Sequence, residues 1–227
     1  MKIVVAARCR NEEEHVERFL HGYSFADQIV ISDGGSTDNS VKLLENRDKV
    51  KLFHFDEEET VNGVTWNPDA PHMNFVLDKA KELDPDWLIF DDFDDVPNYL
   101  LRENARYLFE EVVDASQVNA FRLYLWGDTQ FFPKMNNHFD PLYRSIWAWK
   151  PKEQDIYADM TKHHGTLVGT DDKTAYAIQL PMCLLHKSWH PDTIQEKIKF
   201  YTAVGIQMQH PFIFAGEPQI LPEFARE

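Results

Sequence analysis

Eleven consecutive residues decide how this chain folds: Trp87-Leu88-Ile89-Phe90-Asp91-Asp92-Phe93-Asp94-Asp95-Val96-Pro97. The apolar residues that open the stretch predict a strand buried on both faces, as in a parallel sheet. The carboxylates that follow repel one another, and a divalent cation with oxygen ligands would neutralise them. The stretch therefore predicts a metal site at the end of a buried strand. The alternative is a solvated acidic turn before a helix that begins at Pro97, where aspartate is a good cap.

Alternating strand and helix patterns precede this stretch. Apolar or alternating segments predict strands at Ile3–Ala7, Gln28–Ser32 and Val50–Phe55. A helix capped by Asn11 is predicted to follow the first strand and to end at Gly22, and a second helix begins at Val41. Apolar residues at helical spacing predict further helices over 73–83 and 101–112. The repeated order predicts the α/β class, with a Rossmann-like, mostly parallel central sheet flanked by helices.

In the second half of the chain, extended segments replace the alternating strand and helix patterns. Residues Ala120–Trp126 alternate strictly, and further extended segments follow at Leu142–Trp149, Tyr176–Leu180 and Cys183–His186. These segments predict mixed or antiparallel strands that are added to the parallel half. Two segments without a clear period, 56–71 and 151–172, are predicted to be loops, and long loops of this kind are often functional.

The composition of the chain limits the kinds of molecule that the protein is expected to bind. The formal net charge is −15 and no basic run occurs, so nucleic acid is disfavoured as an electrostatic partner unless a modified base is the acceptor of a reaction. Cys9 and Cys183 match no zinc spacing and are expected to be buried free thiols. The N-terminal apolar run is too short for a signal peptide, and we expect no membrane span and a cytoplasmic protein.

Polar loops follow three of the predicted parallel strands: 8–12, 33–38 and 91–95. Ligands of open parallel sheets bind outside the carboxyl ends of the strands, so these loops predict one pocket at one edge. Each loop taken alone could be an ordinary connection with surface charges. Their equivalent positions in the alternating pattern favour a common site.

The residue types in these loops suit a nucleotide. Arg8 and Arg10 can stack on a planar base or donate hydrogen bonds to it. Asp33 can accept a hydrogen bond from a base N–H or from ribose hydroxyls. Asp92 and Asp94 can hold a cation that in turn holds a diphosphate.

Three motifs resemble the family-2 glycosyltransferases of GT-A fold. They are Arg10-Asn11-Glu12-Glu13, Ile29-Val30-Ile31-Ser32-Asp33-Gly34-Gly35-Ser36-Thr37-Asp38-Asn39 and the Asp91-Asp92-Phe93-Asp94-Asp95 run after its strand. That family carries Arg/Tyr-Asn-Glu after its first strand, Asp-x-Gly-Ser-Thr-Asp after its second, and then Asp-x-Asp. The motifs occur in the family's order and cover about the first hundred residues.

The resemblance implies roles for particular residues. The nucleobase site would be lined by Ala6, Arg8, Arg10 and Glu12, with Asp33 on the base. Asp92 would bind the ribose or the metal, and Asp94 would be a direct ligand of Mn²⁺ or Mg²⁺. Asn74 matches the family's Arg-Asn position without its arginine, and His186 resembles a late histidine near the metal and diphosphate. A histidine at a strand end can equally be a hydrogen-bonded structural residue.

The general base has no firm motif. Inverting members of the family use a carboxylate of the C-terminal half, and the candidates are Glu153, Asp155, Asp159, Asp171 and Asp172. We select Asp159. His163 and His164 compete with it, because a neutral imidazole also suits the task.

The resemblance implies a single glycosyltransferase domain over 1–227, with a nucleotide-binding half at 1–115 and an acceptor-binding half at 116–227. The implied reaction moves a sugar from a nucleotide-sugar donor, expected to be a UDP-sugar, to a hydroxyl of a carbohydrate or other acceptor, with inversion. The tryptophans expected on the acceptor side are Trp66, Trp126, Trp147, Trp149 and Trp189. They could stack on sugar rings or simply pack in the core.

Two other functions fit parts of the sequence. Asp92-Phe93-Asp94-Asp95-Val96 also resembles the motif of haloacid-dehalogenase-type phosphatases, in which Asp92 would be the nucleophile and Asp94 the acid/base. That motif normally follows the first strand of its fold, and the Asp33 turn would then have no role. The other alternative is a non-catalytic domain that binds a nucleotide sugar.

Overall fold

A computed structural model describes residues 1–127, 130–131, 144–161, 164–169 and 174–189, together with residues 195, 198–199, 202, 219–220 and 223. Its strands are β1 Ile3–Cys9, β2 Gln28–Asp33, β3 Val50–His54, β4 Glu59–Val61, β5 Val64–Trp66, β6 Trp87–Phe90, β7 Asp95–Pro97, β8 Gln117–Trp126, β9 Gln130–Phe131, β10 Arg144–Trp149, β11 Ile156–Thr161, β12 His164–Val168, β13 Ala175–Ala177, β14 Leu184–Trp189 and β15 Gln219–Ile220. The helices are α1 Val16–Gly22, α2 Ser40–Leu44, α3 Asp69–Lys81 and α4 Tyr99–Glu111.

The parallel half of the sheet forms as the sequence predicts. Strands β3, β2, β1 and β6 lie side by side in that order and all run in the same direction. Strand β1 is central, because Ala6 pairs with Val30 of β2 on one side and with Phe90 of β6 on the other. Three loops that follow β1, β2 and β6 therefore reach the same edge of the sheet.

Helices cover both faces of this sheet. Alternate residues of β1 point to opposite faces, so Val5 lies in one core cluster and Val4 in the other. The first cluster contains Phe19 of α1 and Phe109 of α4. The second contains Leu77 of α3. This double covering explains why the parallel strands are apolar without alternation.

Strands of the second half extend the same sheet with mixed directions. Strand β10 is antiparallel to both β6 and β8, whereas β13 and β14 run parallel to β8. Strand β14 also pairs antiparallel with β7, which follows the acidic segment. The predicted addition of mixed strands to a parallel half is confirmed, and both cysteines are buried and free as predicted.

Several local predictions are wrong. Asn11 does not cap α1: its φ is +57°, its side-chain oxygen accepts a hydrogen bond from Thr37 N (2.7 Å), and α1 begins only at Val16. The segments 56–71 and 151–172 are not simply loops, because they contain the hairpins β4–β5 and β11–β12.

The tryptophans belong largely to the interior. Trp147 and Trp149 are buried in the two core clusters, and Trp66 is buried as well. Core packing, the alternative to sugar stacking, therefore accounts for these residues. The side chain of Trp189 lies outside the described residues. Within the part of the chain that the structure describes, no helix is both long and apolar enough to cross a membrane.

Candidate functional site

Hydrogen bonds join the loops after β1 and β2 at the carboxyl edge of the sheet. Arg10 donates from Nη1 to the carbonyl oxygen of Gly34 (2.9 Å), and Gly34 N donates to the carbonyl oxygen of Cys9 (2.8 Å). Asn11 accepts from Thr37 N as described above, and Glu12 N donates to Ser40 Oγ (2.8 Å). Hydrogen bonds within the protein therefore join the two loops into one unit.

Arg8 connects this unit to the acidic segment after β6. Its guanidinium donates from Nη1 to Asp69 Oδ1 (2.7 Å) and from Nη2 to Asp92 Oδ1 (3.2 Å). Burial alone would lower the pKa of Arg8, but the carboxylates of Asp92 and Asp69 outweigh it and raise that pKa. Arg8 is therefore a permanent cation between α3 and the acidic segment.

Asp33 is directed into its own turn. Its side chain is 3% exposed, and its carboxylate accepts hydrogen bonds from Gly35 N (3.0 Å) and Ser36 N (3.1 Å). The turn is closed from the other side by Asn67, whose Oδ1 accepts from Arg10 Nη1 (3.0 Å). Arg10 also lies 3.0 Å from Glu58, measured from Nη2 to Oε1.

The acidic segment alternates between inward and outward side chains. The side chains of Asp92 and Asp94 are 53% and 20% exposed, whereas those of Asp91 and Asp95 are 2% and 4% exposed. Phe93 lies between them and stacks on Phe19 with ring centroids 4.4 Å apart. The outward pair consists of the two aspartates that the resemblance selects.

The inward pair is neutralised by a protein side chain. Arg122 of β8 donates from Nη2 to Asp91 Oδ1 (3.0 Å), and its Nε lies 3.0 Å from Asp95 Oδ1. Tyr23 donates its hydroxyl proton to Asp91. Burial and the charge of Asp95 raise the pKa of Asp91 well above its usual range. Burial acts in the same sense on Asp95, but the charges of Arg122 and His186 outweigh it and lower the pKa of Asp95.

His186 lies beside the acidic segment. Its Nδ1 is 3.0 Å from Asp95 Oδ1 and 3.7 Å from Asp94 Oδ1. Burial would lower the pKa of His186, but the two carboxylates reverse the effect and raise it. The candidate ligand atoms of Asp94, Asp95 and His186 all lie within 4.8 Å of one another.

This donor set fits a divalent cation. Carboxylate oxygens suit Mn²⁺ and Mg²⁺, and an imidazole nitrogen is a common additional ligand of transition metals. The backbone of Asp94 is also fixed, because its carbonyl oxygen accepts from Arg18 Nη1 (3.0 Å) and from Lys187 N (2.8 Å). A possible metal site therefore exists here, and the identity of its metal remains a prediction.

Other predicted residues lie elsewhere or have structural contacts. Ala6 is fully buried in the core. Asn74 bonds the backbone of Tyr157 twice, from Nδ2 to the carbonyl oxygen (2.8 Å) and from Tyr157 N to Oδ1 (2.6 Å). Glu12 lies in the turn before α1 and accepts two backbone hydrogen bonds there. The nucleotide-binding roles assigned to these three residues stay predictions.

The candidates for the general base lie mostly outside the described residues. The backbone of Asp159 belongs to β11 and that of His164 to β12, but their side chains are outside the described part, as are His163, Asp171 and Asp172. Asp155 is described and fully buried. Its Oδ2 accepts hydrogen bonds from Trp149 Nε1 (3.1 Å) and Lys152 N (2.8 Å), so it is held as a structural carboxylate.

Sequence reasoning missed Arg18, Arg122, Tyr23, Asn67 and His72, all of which contact the site residues or their loops. His72 Nε2 lies 3.0 Å from Ser32 Oγ, and the His72 ring stacks on Phe55 with centroids 4.4 Å apart. Burial, with a smaller contribution from the Arg8 charge, lowers the pKa of His72 to about 4. Asn67 lies in the segment 56–71, which the sequence predicts to be a long loop, whereas the other four belong to apolar or mixed segments whose local pattern gives no functional signal.

The central mixed sheet flanked by helices is a GT-A-like α/β fold. Among solved structures, the chain is similar to S. aureus TarS residues 1–349, with a TM-score of 0.50 and 15% identity over 92% of this chain and 67% of that one. A longer TarS structure gives the same TM-score and identity, and this chain covers 41% of it. Mycobacterium tuberculosis glucosyl-3-phosphoglycerate synthase in complex with Mn²⁺, UDP and glucosyl-3-phosphoglycerate has a TM-score of 0.36 and 16% identity over 56% of this chain and 45% of that one.

No protein-family model and no curated protein sequence matches the chain. At these identities the structural likeness establishes the fold alone. The fold confirms the GT-A-like architecture that the sequence motifs imply.

Proposed function

We propose that this protein is a metal-dependent glycosyltransferase that moves a sugar from a nucleotide-sugar donor to an acceptor hydroxyl. A UDP-sugar is the proposed donor, Mn²⁺ or Mg²⁺ the proposed cofactor, and a carbohydrate or other hydroxyl compound the proposed acceptor. Residues 1–115 would bind the nucleotide and residues 116–227 the acceptor. The family resemblance further favours inversion at the anomeric carbon.

One observation carries this proposal. The outward carboxylates Asp92 and Asp94 stand at the edge of the sheet to which Arg8 and the loops after β1 and β2 also belong. Ligands of parallel α/β sheets bind at this edge. A nucleoside diphosphate would need a surface for its base and ribose, and carboxylates that hold a cation next to the diphosphate. The three loops would supply both.

The residues at this edge would divide the work. Asp94 and His186, with Asp92 next to them, would hold the cation, which would stabilise the charge of the departing nucleoside diphosphate as a Lewis acid. Arg10 and the turn that Asp33 holds would form the wall against the base, because the two loops are already fixed to each other by hydrogen bonds. Arg8 would keep Asp92 oriented through its hydrogen bond.

The acceptor must be deprotonated as it attacks. Asp159 is the proposed general base, and Asp155 is a poor alternative, because it is fully buried and both its described hydrogen bonds are structural. The exchange of Asp159 for Asn should abolish transfer without weakening UDP binding. If the substitution reduced transfer and UDP binding equally, Asp159 would instead belong to the nucleotide site.

A direct test measures product release. The purified protein is incubated with UDP-, GDP-, dTDP- and CDP-sugars, with and without Mn²⁺, and the free nucleoside diphosphate is quantified. Metal-dependent release from one donor, even slow hydrolysis without an acceptor, is the expected result. Turnover of a generic phosphomonoester would support the phosphatase alternative. Tight binding of a nucleotide sugar with no release under any condition would support a binding domain.

A further inference from the structure

The carboxylate of Asp95 makes contacts that differ in kind from those of its neighbour Asp94. Asp95 is 4% exposed, and its Oδ1 lies 3.0 Å from His186 Nδ1 and 3.0 Å from Arg122 Nε. Asp94 is more exposed, and its Oδ1 lies 3.7 Å from the same imidazole nitrogen. Asp95 is therefore already engaged by two protein groups, whereas Asp94 is not within hydrogen-bond distance of His186.

These contacts fix where the imidazole proton lies. A carboxylate that is paired with a guanidinium can only accept hydrogen bonds. The nitrogen 3.0 Å from Asp95 Oδ1 must then carry hydrogen, so Nδ1 is the protonated nitrogen and Nε2 keeps the free lone pair in the neutral ring.

Backbone pairing and ring packing hold this geometry. His186 of β14 is the register partner of Asp95 in β7 and of Tyr124 in β8. The rings of His186 and Tyr124 meet edge to face, with centroids 5.0 Å apart. Arg122, two residues before Tyr124 on β8, reaches the same carboxylate and is itself held by Asp91. Contacts with Asp95 and Tyr124 therefore restrict the orientation of the imidazole ring.

We infer that Asp95 and Arg122 are positioning residues for His186, and that Asp95 is not itself a ligand of the metal. Through Nδ1–H, Asp95 orients the ring and leaves Nε2 as the nitrogen that would bind the cation together with Asp94, while Arg122 holds Asp95 in place. Metal-binding histidines commonly donate their second N–H to a carboxylate in this way. The inference rests on the proposed metal-dependent function.

The first test uses the wild-type protein without metal. Long-range ¹⁵N–¹H correlation spectra at alkaline pH, where the ring is neutral, report which imidazole nitrogen carries the proton, and a His186→Gln variant assigns the signals among the ten histidines. The inference predicts the Nδ1–H form. An Nε2–H form of His186 in the wild-type protein would overturn it.

The second test uses Asp95→Asn, with the Mn²⁺ affinity measured by electron paramagnetic resonance of the free ion. An amide can donate to Nδ1 as well as accept from it, so the Nδ1–H preference should be lost, and the Mn²⁺ affinity should fall by about 10–100-fold. Arg122→Lys should lose less affinity than Arg122→Gln. Arg106→Gln, which removes a more exposed Arg–Asp pair at Asp27, is the control and should bind Mn²⁺ normally.

The possible outcomes separate this inference from the proposed function. A wild-type protein that holds the Nδ1–H form but binds no Mn²⁺ contradicts the proposed function and supports the positioning of His186. Asp95→Asn that loses Mn²⁺ affinity while His186 keeps its Nδ1–H form makes Asp95 a ligand and overturns the inference. Unchanged affinity in Asp95→Asn overturns it as well.

Discussion

The side-chain amide of Asn67 occupies the space in which a side chain on Gly34 would begin. An ideal Cβ on Gly34 would lie 2.0 Å from Asn67 Oδ1 and 2.5 Å from its Cγ, far inside any van der Waals contact. Asn67 cannot move freely, because Oδ1 accepts from Arg10 (3.0 Å) and Nδ2 donates to the carbonyl oxygen of Glu57 (3.0 Å). Gly34 is therefore required by packing.

This relationship predicts that Gly34→Ala destabilises the protein by about 1–3 kcal/mol, the usual range for overpacking of a buried contact. The methyl group must displace Asn67 and break its hydrogen bonds to Arg10 and Glu57. Urea unfolding of the purified variant measures the change in the free energy of unfolding.

A double variant supplies the control. In an Asn67→Ala background the space beside residue 34 is open, so Gly34→Ala should add little to the cost of Asn67→Ala. Simple additivity of the two changes would contradict the steric explanation, because residues that clash directly must be coupled.

The parallel half could be predicted because its signals are local. Runs such as Ile3–Ala7 and Trp87–Phe90 are apolar without alternation, which is typical of strands covered on both faces. The equivalent positions of the three polar loops then follow from the strand–helix order alone. The hairpin β11–β12 escaped prediction, because residues 156–168 mix polar and apolar side chains without a strict period.

The distribution of charge in the site could not be read from the sequence. The four aspartates of the acidic segment look alike in sequence, yet Asp91 and Asp95 turn inward and meet Arg122, which comes from β8. The guanidinium of Arg122 thus pairs with both inward carboxylates of the segment. Such pairing depends on how β8 and β14 pack beside β7, and no local pattern encodes it.

Asp94→Asn is predicted to weaken Mn²⁺-dependent UDP binding by more than about tenfold, or ~1.4 kcal/mol, while UDP binding without metal stays unchanged. The substitution keeps the shape of the side chain but removes the charge of an outward carboxylate beside His186. Isothermal titration calorimetry with UDP, in the presence and absence of Mn²⁺, measures both affinities.

Asp86→Asn is the control for that substitution. Asp86 is largely exposed and lies immediately before β6, at the opposite end of that strand from Asp94. It should bind UDP as the wild type does. If Asp94→Asn retains the full effect of Mn²⁺, the assignment of Asp94 as a metal ligand is wrong.

Arg122→Gln is predicted to lower the free energy of unfolding by about 3–5 kcal/mol, because it leaves Asp91 and Asp95 buried without their cation. Adding Asp91→Asn should recover part of this loss, since the amide can still accept from the Tyr23 hydroxyl. Denaturant unfolding of the single and double variants measures both effects.

The exposed pair of Arg106 and Asp27 calibrates that result. Breaking a partly exposed pair costs about 0–1 kcal/mol, so Arg106→Gln should be far milder than Arg122→Gln. If the free energy of unfolding fell equally in the two variants, the burial of the Arg122 pairs would not increase their contribution to stability.

The buried side chain of His72 is predicted to make the stability of the protein depend on pH. Burial lowers its pKa to about 4 in the folded protein, whereas an unfolded histidine titrates near its ordinary value of 6.5. Between these two pH values the unfolded chain binds one proton that the folded protein does not bind. The stabilisation that the neutral His72 side chain contributes is therefore complete above pH 6.5 and is lost as the pH falls towards 4. One such group contributes a slope of at most about 1.4 kcal/mol per pH unit.

His72→Asn should flatten the slope in urea unfolding measured across this range, whereas His21→Asn, at an exposed position, should preserve it. A slope that survives unchanged in His72→Asn would place its origin in other groups.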